Sequence, residues 1–200
     1  MLGVELKTLS IETVFKEYLH LLEPTLKGPP QGETEENIQT RIRCTILMAF
    51  SNQWGHILLN TGNKSEMAMG YCTLYGDMAG GLGVLHDVTK LRVYQLAKYR
   101  KIPEAIIQKV PSAELRENQT DFDTLPPFEI LDPIIEDYIE ERLPLEEIAK
   151  KRKQPLEFVR SLIHRMHLAE YKRRQAPIGL RVTQKAFSKG RIVPIVQKWK

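Results

Sequence analysis

The sequence predicts an α/β protein with parallel strands, and two observations carry that prediction. The alternating stretch "GVELKTLSI" runs directly into a helical stripe, and the apolar stretch "HILLNTG" follows a second helix that stops at a glycine. Strand, helix, helix, strand in that order is the pattern of a sheet whose strands are joined by helical crossovers. Its 200 residues, 42% apolar and 27% charged, are enough for one ordinary globular core.

Taken in order, "GVELKTLSI" alternates apolar and polar residues as a half-buried strand does, and "ETVFKEYLHLLEP" places Val14, Phe15, Tyr18, Leu21 and Leu22 at helical spacing before Pro24 stops it. "KGPPQGETEE" has turn composition. "ENIQTRIRCTILMAFSNQWG" carries Ile38, Ile42, Ile46, Leu47 and Phe50 on one stripe and ends at Gly55. After the strand "HILLNTG" comes a polar and glycine-rich run. Residues 87–100 read as an amphipathic helix with Asp87 near its start and Lys98 and Arg100 at its end, matching the helix dipole. "IPEAIIQKVPSAELRENQTDFDTLPPFE" reads as a long loop, a type of segment that is often functional. Two or three short helices broken near Pro144 and Pro155 follow. The tail "QAPIGLRVTQKAFSKGRIVPIVQKWK" lacks a long apolar face and is expected to wrap a surface. There is no internal repeat.

Charge is unevenly placed. Residues 1–149 hold 14 Lys/Arg against 23 Asp/Glu, whereas residues 150–200 hold 15 against 2. That segment fits either an anionic partner or a solvated basic face. No apolar run is long enough for a membrane span, and "MLGVELKTL" lacks the features of a signal peptide, so a cytoplasmic location is expected. Cys44 and Cys72 show no CxxC spacing and read as buried thiols rather than a zinc site or disulfide.

In an open α/β sheet, ligands bind beyond the carboxyl ends of the strands. The polar run "NTGNKSE" lies at that edge. A hydroxyl at Thr61 can bond an adenosine or phosphate, and a carboxylate at Glu66 can hold Mg²⁺ shared with nucleotide phosphates. The same residue types also serve as helix caps. Arg41 and Arg43, two apart on a helix, point to different faces, and Arg41 lies one turn from Asn37. A different class of function is offered by "LEEIAKKRKQPLEFVRSLIHRM", which has helix-turn-helix spacing in the basic third. Its second helix offers only Glu157, Arg160, Ser161 and His164 to base edges, and the acid at its start would face phosphates, which argues against nucleic acid.

"LLNTGNKSEMAMGYCTLYGDMAGG", "VPSAELRENQTDFDTLPPFEILDPII" and "AEYKRRQAP", in that order across roughly residues 33 to 200, resemble the synthetase domain of glutamine-dependent NAD synthetases. The resemblance implies a doubly wound, mostly parallel α/β fold of the pyrophosphatase-loop ATPases. It would be one C-terminal portion of a synthetase domain, incomplete at its N-terminal side: a nucleotide-binding part at 1–128, a helical segment at 129–175 and an extended basic tail at 176–200. It further implies a homodimer and an ATP-dependent amidation in which deamido-NAD is adenylated and ammonia, free or from a glutaminase domain, displaces AMP. Residue by residue, it assigns Thr61, Lys90 and Ser112 to ATP and Glu66 to Mg²⁺. Arg41, Tyr171 and Lys172 are assigned to deamido-NAD, with Asp77, Gly80 and Gly81 lining the dinucleotide site. Two parts of the family pattern are missing. The Ser-Gly-Gly-x-Asp-Ser loop does not occur, since "AGGLG" at 79–83 has no Asp-Ser after it, and neither cysteine sits in a glutaminase context. A non-catalytic, nucleotide-binding remnant is therefore the alternative.

Overall fold

A computed structural model describes residues 3–187 and 191–196, so the parts of the tail at 188–190 and 197–200 lie outside the described residues. The chain opens with a helical hairpin, α1 (Glu12–Leu26) and α2 (Glu33–Trp54). Each helix ends on a left-handed residue, Lys27 or Gly55, whose N–H closes the last turn onto Glu23 O or Ser51 O. Pro24 does not stop α1 as the sequence predicts: it sits within the last turn, where it forfeits one hydrogen bond, and the chain leaves the helix at Lys27 and Gly28. The expected strand at "GVELKTLSI" is also absent. No described strand runs beside it, so its backbone has no ladder to join, and Val4 and Leu6 stand 77% and 88% exposed.

The sheet is small. β1 (Leu59–Asn60) pairs in parallel with β2 (Leu82–Gly83), Leu59 opposite Leu82 and Asn60 opposite Gly83. The far side of β2 takes the tail: Gly83 bridges in parallel to Gly179, with its N–H on Ile178 O at 2.8 Å and its carbonyl accepting Leu180 N–H at 3.2 Å. β2 was not legible as a strand because glycines give it no β-propensity. Those glycines matter for approach: a Cβ at Gly80, where φ is +137°, would meet Leu58 O at 2.8 Å. Among the described residues the outer edge of β1 is unpaired, and the fold is α/β with a small parallel sheet.

Most of the core is helical. α3 (Lys64–Met69), α4 (Lys90–Tyr99) and α5 (Glu104–Ile107) lead through the 110–127 loop, which holds only a 3-10 turn at Asp121–Asp123, to α6 (Phe128–Ile139), α7 (Leu145–Arg152), α8 (Leu156–Leu168) and α9 (Glu170–Arg173). Pro127, Pro144 and Pro155 stand just before α6, α7 and α8, where a fixed φ and a missing N–H cost nothing. Phe128, Leu131, Ile134, Ile135 and Ile139 of α6 are fully or almost fully buried against Ile148, Val159, Ile163 and Met166, and α3 adds Ala68 and Met69. α6 packs on both α3 and α4 and so carries the elements that follow the strands.

One expectation about α4 is corrected. The helix begins at Lys90, not at Asp87. Asp87 is buried and turned the other way, accepting Val182 N–H, Thr183 N–H and the Thr183 hydroxyl at 2.7–2.9 Å, which ties the tail onto the body as expected of a wrapping segment.

Candidate functional site

Where β1 ends, Asn60 organises the turn. Its Nδ2 donates to Asp77 O at 2.6 Å and Ala79 O at 3.0 Å, while its Oδ1 accepts Gly62 N–H and shares a hydrogen bond with His86 Nε2 at 2.8 Å. The returning segment 77–79 is thereby pinned beside the strand end. Asn63 then caps α3 in a reciprocal box: Asn63 Oδ1 accepts Glu66 N–H and Glu66 Oε2 accepts Asn63 N–H, both at 3.0 Å. Lys64 turns inward and is wholly buried, its ammonium 2.8 Å from both Asp87 and Glu140 and bonded to Thr183 Oγ1 and Lys185 O.

These turns frame a cleft of about 340 Å³ that gathers Thr61, Glu66, Asp77, Lys90 and Ser112, five of the residues singled out in the sequence, with Asp121. Thr61 is exposed at its rim. Lys90 Nζ lies 3.4 Å from Glu66 Oε1 and 5.5 Å from the Phe128 ring centroid. Burial raises the Glu66 carboxyl above its ordinary range; Lys90 and the Asn63 N–H pull it down without cancelling the rise, and Asp121 pushes it further up. Burial likewise raises Asp121, and the surrounding protein pushes Asp77 up to about 6 even though its carboxylate is reachable from the cleft. The wall is therefore rich in carboxylates with one ammonium among them. Such a wall suits a ligand that brings anionic groups together with a cation.

A second cleft, about 540 Å³, opens between the start of α2, the 113–124 loop and the α8–α9 junction. Tyr171 and Lys172 line it, and Tyr71, Cys72, Asp77 and Ala113 belong to both clefts. Lys172 Nζ donates to Gly70 O at 2.9 Å and Cys72 O at 2.7 Å, leaving its third proton for another acceptor. The close approach of α9 to the end of α3 depends on Gly70, which is left-handed and whose added Cβ would lie 2.7 Å from Ala169 Cβ. Burial pushes the Cys72 thiol up to about 12, which leaves it inert at neutral pH.

Three residues singled out in the sequence line neither cleft. Arg41 is exposed on α2 with Nε on Leu74 O at 3.2 Å, and Arg43 reaches Glu114 O instead, so the two do point apart. Gly80 and Gly81 pack against β1, with Gly81 N–H on Leu58 O. Conversely, the sequence reading passed over Asn60, Tyr71 and Asp121. Asn60 was the recoverable one, an amide ending an apolar strand; Tyr71 and Asp121 meet only through tertiary packing.

Among the described residues no group of three or more His, Cys, Asp or Glu side chains is placed to hold a metal on its own. The oxygen-only donors Glu66 and Asp121 nevertheless fit a hard cation of the kind that completes its shell with phosphates and water. No helix among the described residues is long and apolar enough to cross a membrane. Several described cations of the basic segment are engaged internally. Lys151 and Arg152 hold Asp137, Arg173 and Arg174 hold Glu170, and Arg165 donates to Met69 O and Thr124 O. On α8 the exposed residues are Glu157, Arg160, Ser161, His164 and Leu168, a poor face for a DNA groove.

A match to the NAD synthase family covers residues 1–176. The chain is 46% identical over 203 residues to a glutamine-dependent NAD(+) synthetase of Aquifex aeolicus and 47% identical over 209 residues to that of Thermotoga maritima. Those alignments take in 99% and 100% of this chain but only 36% of each relative, so the chain spans about a third of their length. The crystal structure of a glutamine-dependent NAD(+) synthetase from Cytophaga hutchinsonii superposes with a TM-score of 0.78 at 21% identity, covering 98% of this chain and 34% of that one, a likeness of fold.

Proposed function

The chain belongs to the NAD synthase family, and from that premise we propose that it carries the deamido-NAD site and part of the ATP site of an enzyme that amidates deamido-NAD. The observation that carries this reading is the cleft at the end of β1, where Thr61, Glu66, Lys90 and Ser112 share one cavity that has Tyr71, Cys72, Asp77 and Ala113 in common with the cleft of Tyr171 and Lys172. Two adjoining clefts suit two nucleotides that must meet at a carboxylate and an α-phosphate.

In this reading ATP lies in the smaller cleft. The hydroxyls of Thr61 and Ser112 orient it and the Lys90 ammonium meets its phosphates. Glu66, with Asp121 beside it, would hold Mg²⁺, which when bound neutralises phosphate charge. Deamido-NAD lies in the larger cleft, with Tyr171 against it and the remaining proton of Lys172 on one of its anionic groups. Asp77 stands on the wall common to both. Arg41, whose Nε holds Leu74 O, would offer its remaining guanidinium N–H groups to deamido-NAD, and Gly80 and Gly81 contribute by letting the 77–81 segment lie close to β1. Nicotinate attack on the α-phosphate releases pyrophosphate, and ammonia then displaces AMP. Binding the two substrates side by side supplies the proximity such a step needs.

The same reading includes a homodimer, supported by Val14, Tyr18, Leu21 and Leu47, which leave 46–71% of their surface exposed on α1 and α2. It also includes a cytoplasmic location, and nitrogen delivered by a glutaminase domain or as free ammonia. The Ser-Gly-Gly-x-Asp-Ser segment, which would give the pyrophosphate its backbone donors, is not in these 200 residues.

The test is calorimetric titration of the 200-residue chain with deamido-NAD and with ATP plus magnesium, followed by an assay of ammonia-dependent NAD formation. Binding of both nucleotides with almost no turnover is expected. Absence of binding by either nucleotide would overturn the assignment, and robust turnover would show that the missing loop is dispensable.

A further inference from the structure

Asp132 is an acid on an apolar stripe. It stands on α6 between Leu131 and Ile135, is 1% exposed, and lines neither cleft. Its Oδ1 accepts the Ser65 hydroxyl at 2.5 Å and its Oδ2 accepts Leu91 N–H at 2.8 Å, while Ser65 Oγ accepts Lys90 N–H at 2.9 Å. The three bonds stitch the first turn of α3 to the first turn of α4. The residues next in sequence are Glu66 on one side and Lys90 on the other, whose side chains meet at 3.4 Å across the smaller cleft.

The route of these bonds is informative. Thr89, at the cap position of α4, makes no capping bond with its side chain, so the orphan amides of Lys90 and Leu91 are satisfied from other helices. A local cap would stabilise α4 as well. A cap supplied by α3 and α6 also fixes where α4 lies relative to α3. Glu136, one turn further along α6, repeats the link with the Thr89 hydroxyl at 3.3 Å and Arg92 at 3.0 Å. Burial pushes the Asp132 carboxyl up to about 6 despite the bonds from Leu91 and Ser65, with Glu136 and Glu129 adding like charge. Ionised at neutral pH, it is an unfavourable group to keep in a core, and its bonds to the two helix starts are what distinguish it from its apolar neighbours.

We propose that Asp132 is a positioning residue: from behind the cleft it sets the starts of α3 and α4, and through them the separation of the Glu66 carboxylate and the Lys90 ammonium that receive the ATP phosphates and their cation. The part concerning ATP rests on the function proposed above. Asp132 touches no ligand and acts through Ser65, Lys90 and Leu91.

The experiment uses the full 200-residue chain with Asp132→Asn and, as a milder perturbation that leaves the carboxylate in place, Ser65→Ala. Without any ligand, amide hydrogen exchange at Lys90 is expected to rise about 10-fold or more in both variants, and at Leu91 in Asp132→Asn, while Ile135, Val159 and Ile163 keep their protection. A uniform rise in exchange, or none, overturns the proposal, because a merely structural acid would loosen the whole core. The second readout is a double-mutant cycle on the calorimetric affinity for ATP with magnesium. Asp132→Asn is expected to weaken binding about 10-fold in the wild-type background and less than about 2-fold on top of Lys90→Met, because both act through the same ammonium. Independent, multiplicative losses overturn it. If the unmutated chain binds no ATP, the ATP reading of the cleft fails, and the exchange pattern still decides whether Asp132 sets the two helix starts.

Discussion

Replacing Lys64 by Met is the most informative single perturbation of this fold. Methionine keeps the length and lack of branching of the side chain and removes only the ammonium, so the change isolates charge from packing. In the native chain that ammonium is wholly buried and lies 2.8 Å from Asp87 and from Glu140. Removing one partner of a buried pair typically costs about 3–5 kcal/mol, because the other charge is left uncompensated. Here the lower end applies. Asp87 keeps Val182 N–H, Thr183 N–H and the Thr183 hydroxyl, and Glu140, whose side chain is 13% exposed, can turn toward water. A loss of about 3 kcal/mol, divided by a urea m-value of about 2 kcal/mol/M, lowers the unfolding midpoint by roughly 1.5 M. Although burial alone would raise the Asp87 carboxyl, bonds from Lys64 and from the Thr183 and Val182 amides hold it below its ordinary range. A depressed carboxyl stabilises the fold above its unfolded pKa of about 3.9, and that stability is lost as pH falls through the lower folded value. The wild-type chain should therefore lose this contribution in acid, and Lys64→Met should show a flatter acid limb. Adding Asp87→Asn to Lys64→Met should recover part of the loss. A midpoint shift corresponding to less than about 1 kcal/mol, or a double variant weaker than the single one by the full cost of a second buried defect, would refute this reasoning.

Three further outcomes are expected of the clefts. Glu66→Gln, in a chain with the Ser-Gly-Gly-x-Asp-Ser segment restored upstream, should raise the magnesium needed for half-maximal activity by about 10-fold, some 1.4 kcal/mol, because the neutral amide is a poorer ligand for a hard cation. Its unfolding midpoint should move little, since Gln at that position still completes the capping box with Asn63; unchanged magnesium dependence would leave Glu66 as a helix-start residue only. Thr61→Val keeps volume and removes an exposed hydroxyl, and should weaken ATP binding by about 0.5–1.5 kcal/mol in calorimetry with no loss of stability. Lys172→Ala should weaken deamido-NAD binding by about 1–3 kcal/mol, and, because its ammonium also holds the Gly70 and Cys72 carbonyls, should lower the thermal midpoint as well; unchanged calorimetric affinity would remove it from the site.

The parts of this molecule that sequence periodicity conveys are those whose burial follows a local repeat. α2 was legible from its stripe and from Gly55, and the breaks at Pro144 and Pro155 fell where α7 and α8 begin. The strand expected at "GVELKTLSI" failed because alternation states a preference that only a neighbouring strand can satisfy. β2 escaped notice for the opposite reason: its pairing is imposed by glycines that permit contact, and glycines carry no periodic signal. By position alone Asp87 reads as a helix-start acid, yet the amides it accepts lie 95 and 96 residues further along. In the clefts, Thr61 and Glu66 stood out because they follow a strand end, and Lys90, Ser112, Tyr171 and Lys172 were named through family resemblance. Asp121 and Asp132 came from neither route. The one signal for Asp132 was incongruity, a carboxylate four residues after Phe128 on an otherwise apolar face.

The bridge between Gly83 and Gly179 and the bonds from Thr183 to Asp87 also order events in time. A chain made from its N-terminus at about 5–20 residues per second produces Thr183 roughly 5 to 20 s after Asp87. During that interval Lys64 and Asp87 have each other but not the tail that seals them, and the outer side of β2 is open. α6, α7 and α8 can gather their apolar faces meanwhile, since those contacts are near in sequence and form quickly. A segment made later thus closes over Lys64 and Asp87 behind the cleft, and a nascent chain halted before Thr183 would hold a folded helical body beside an unfinished cleft.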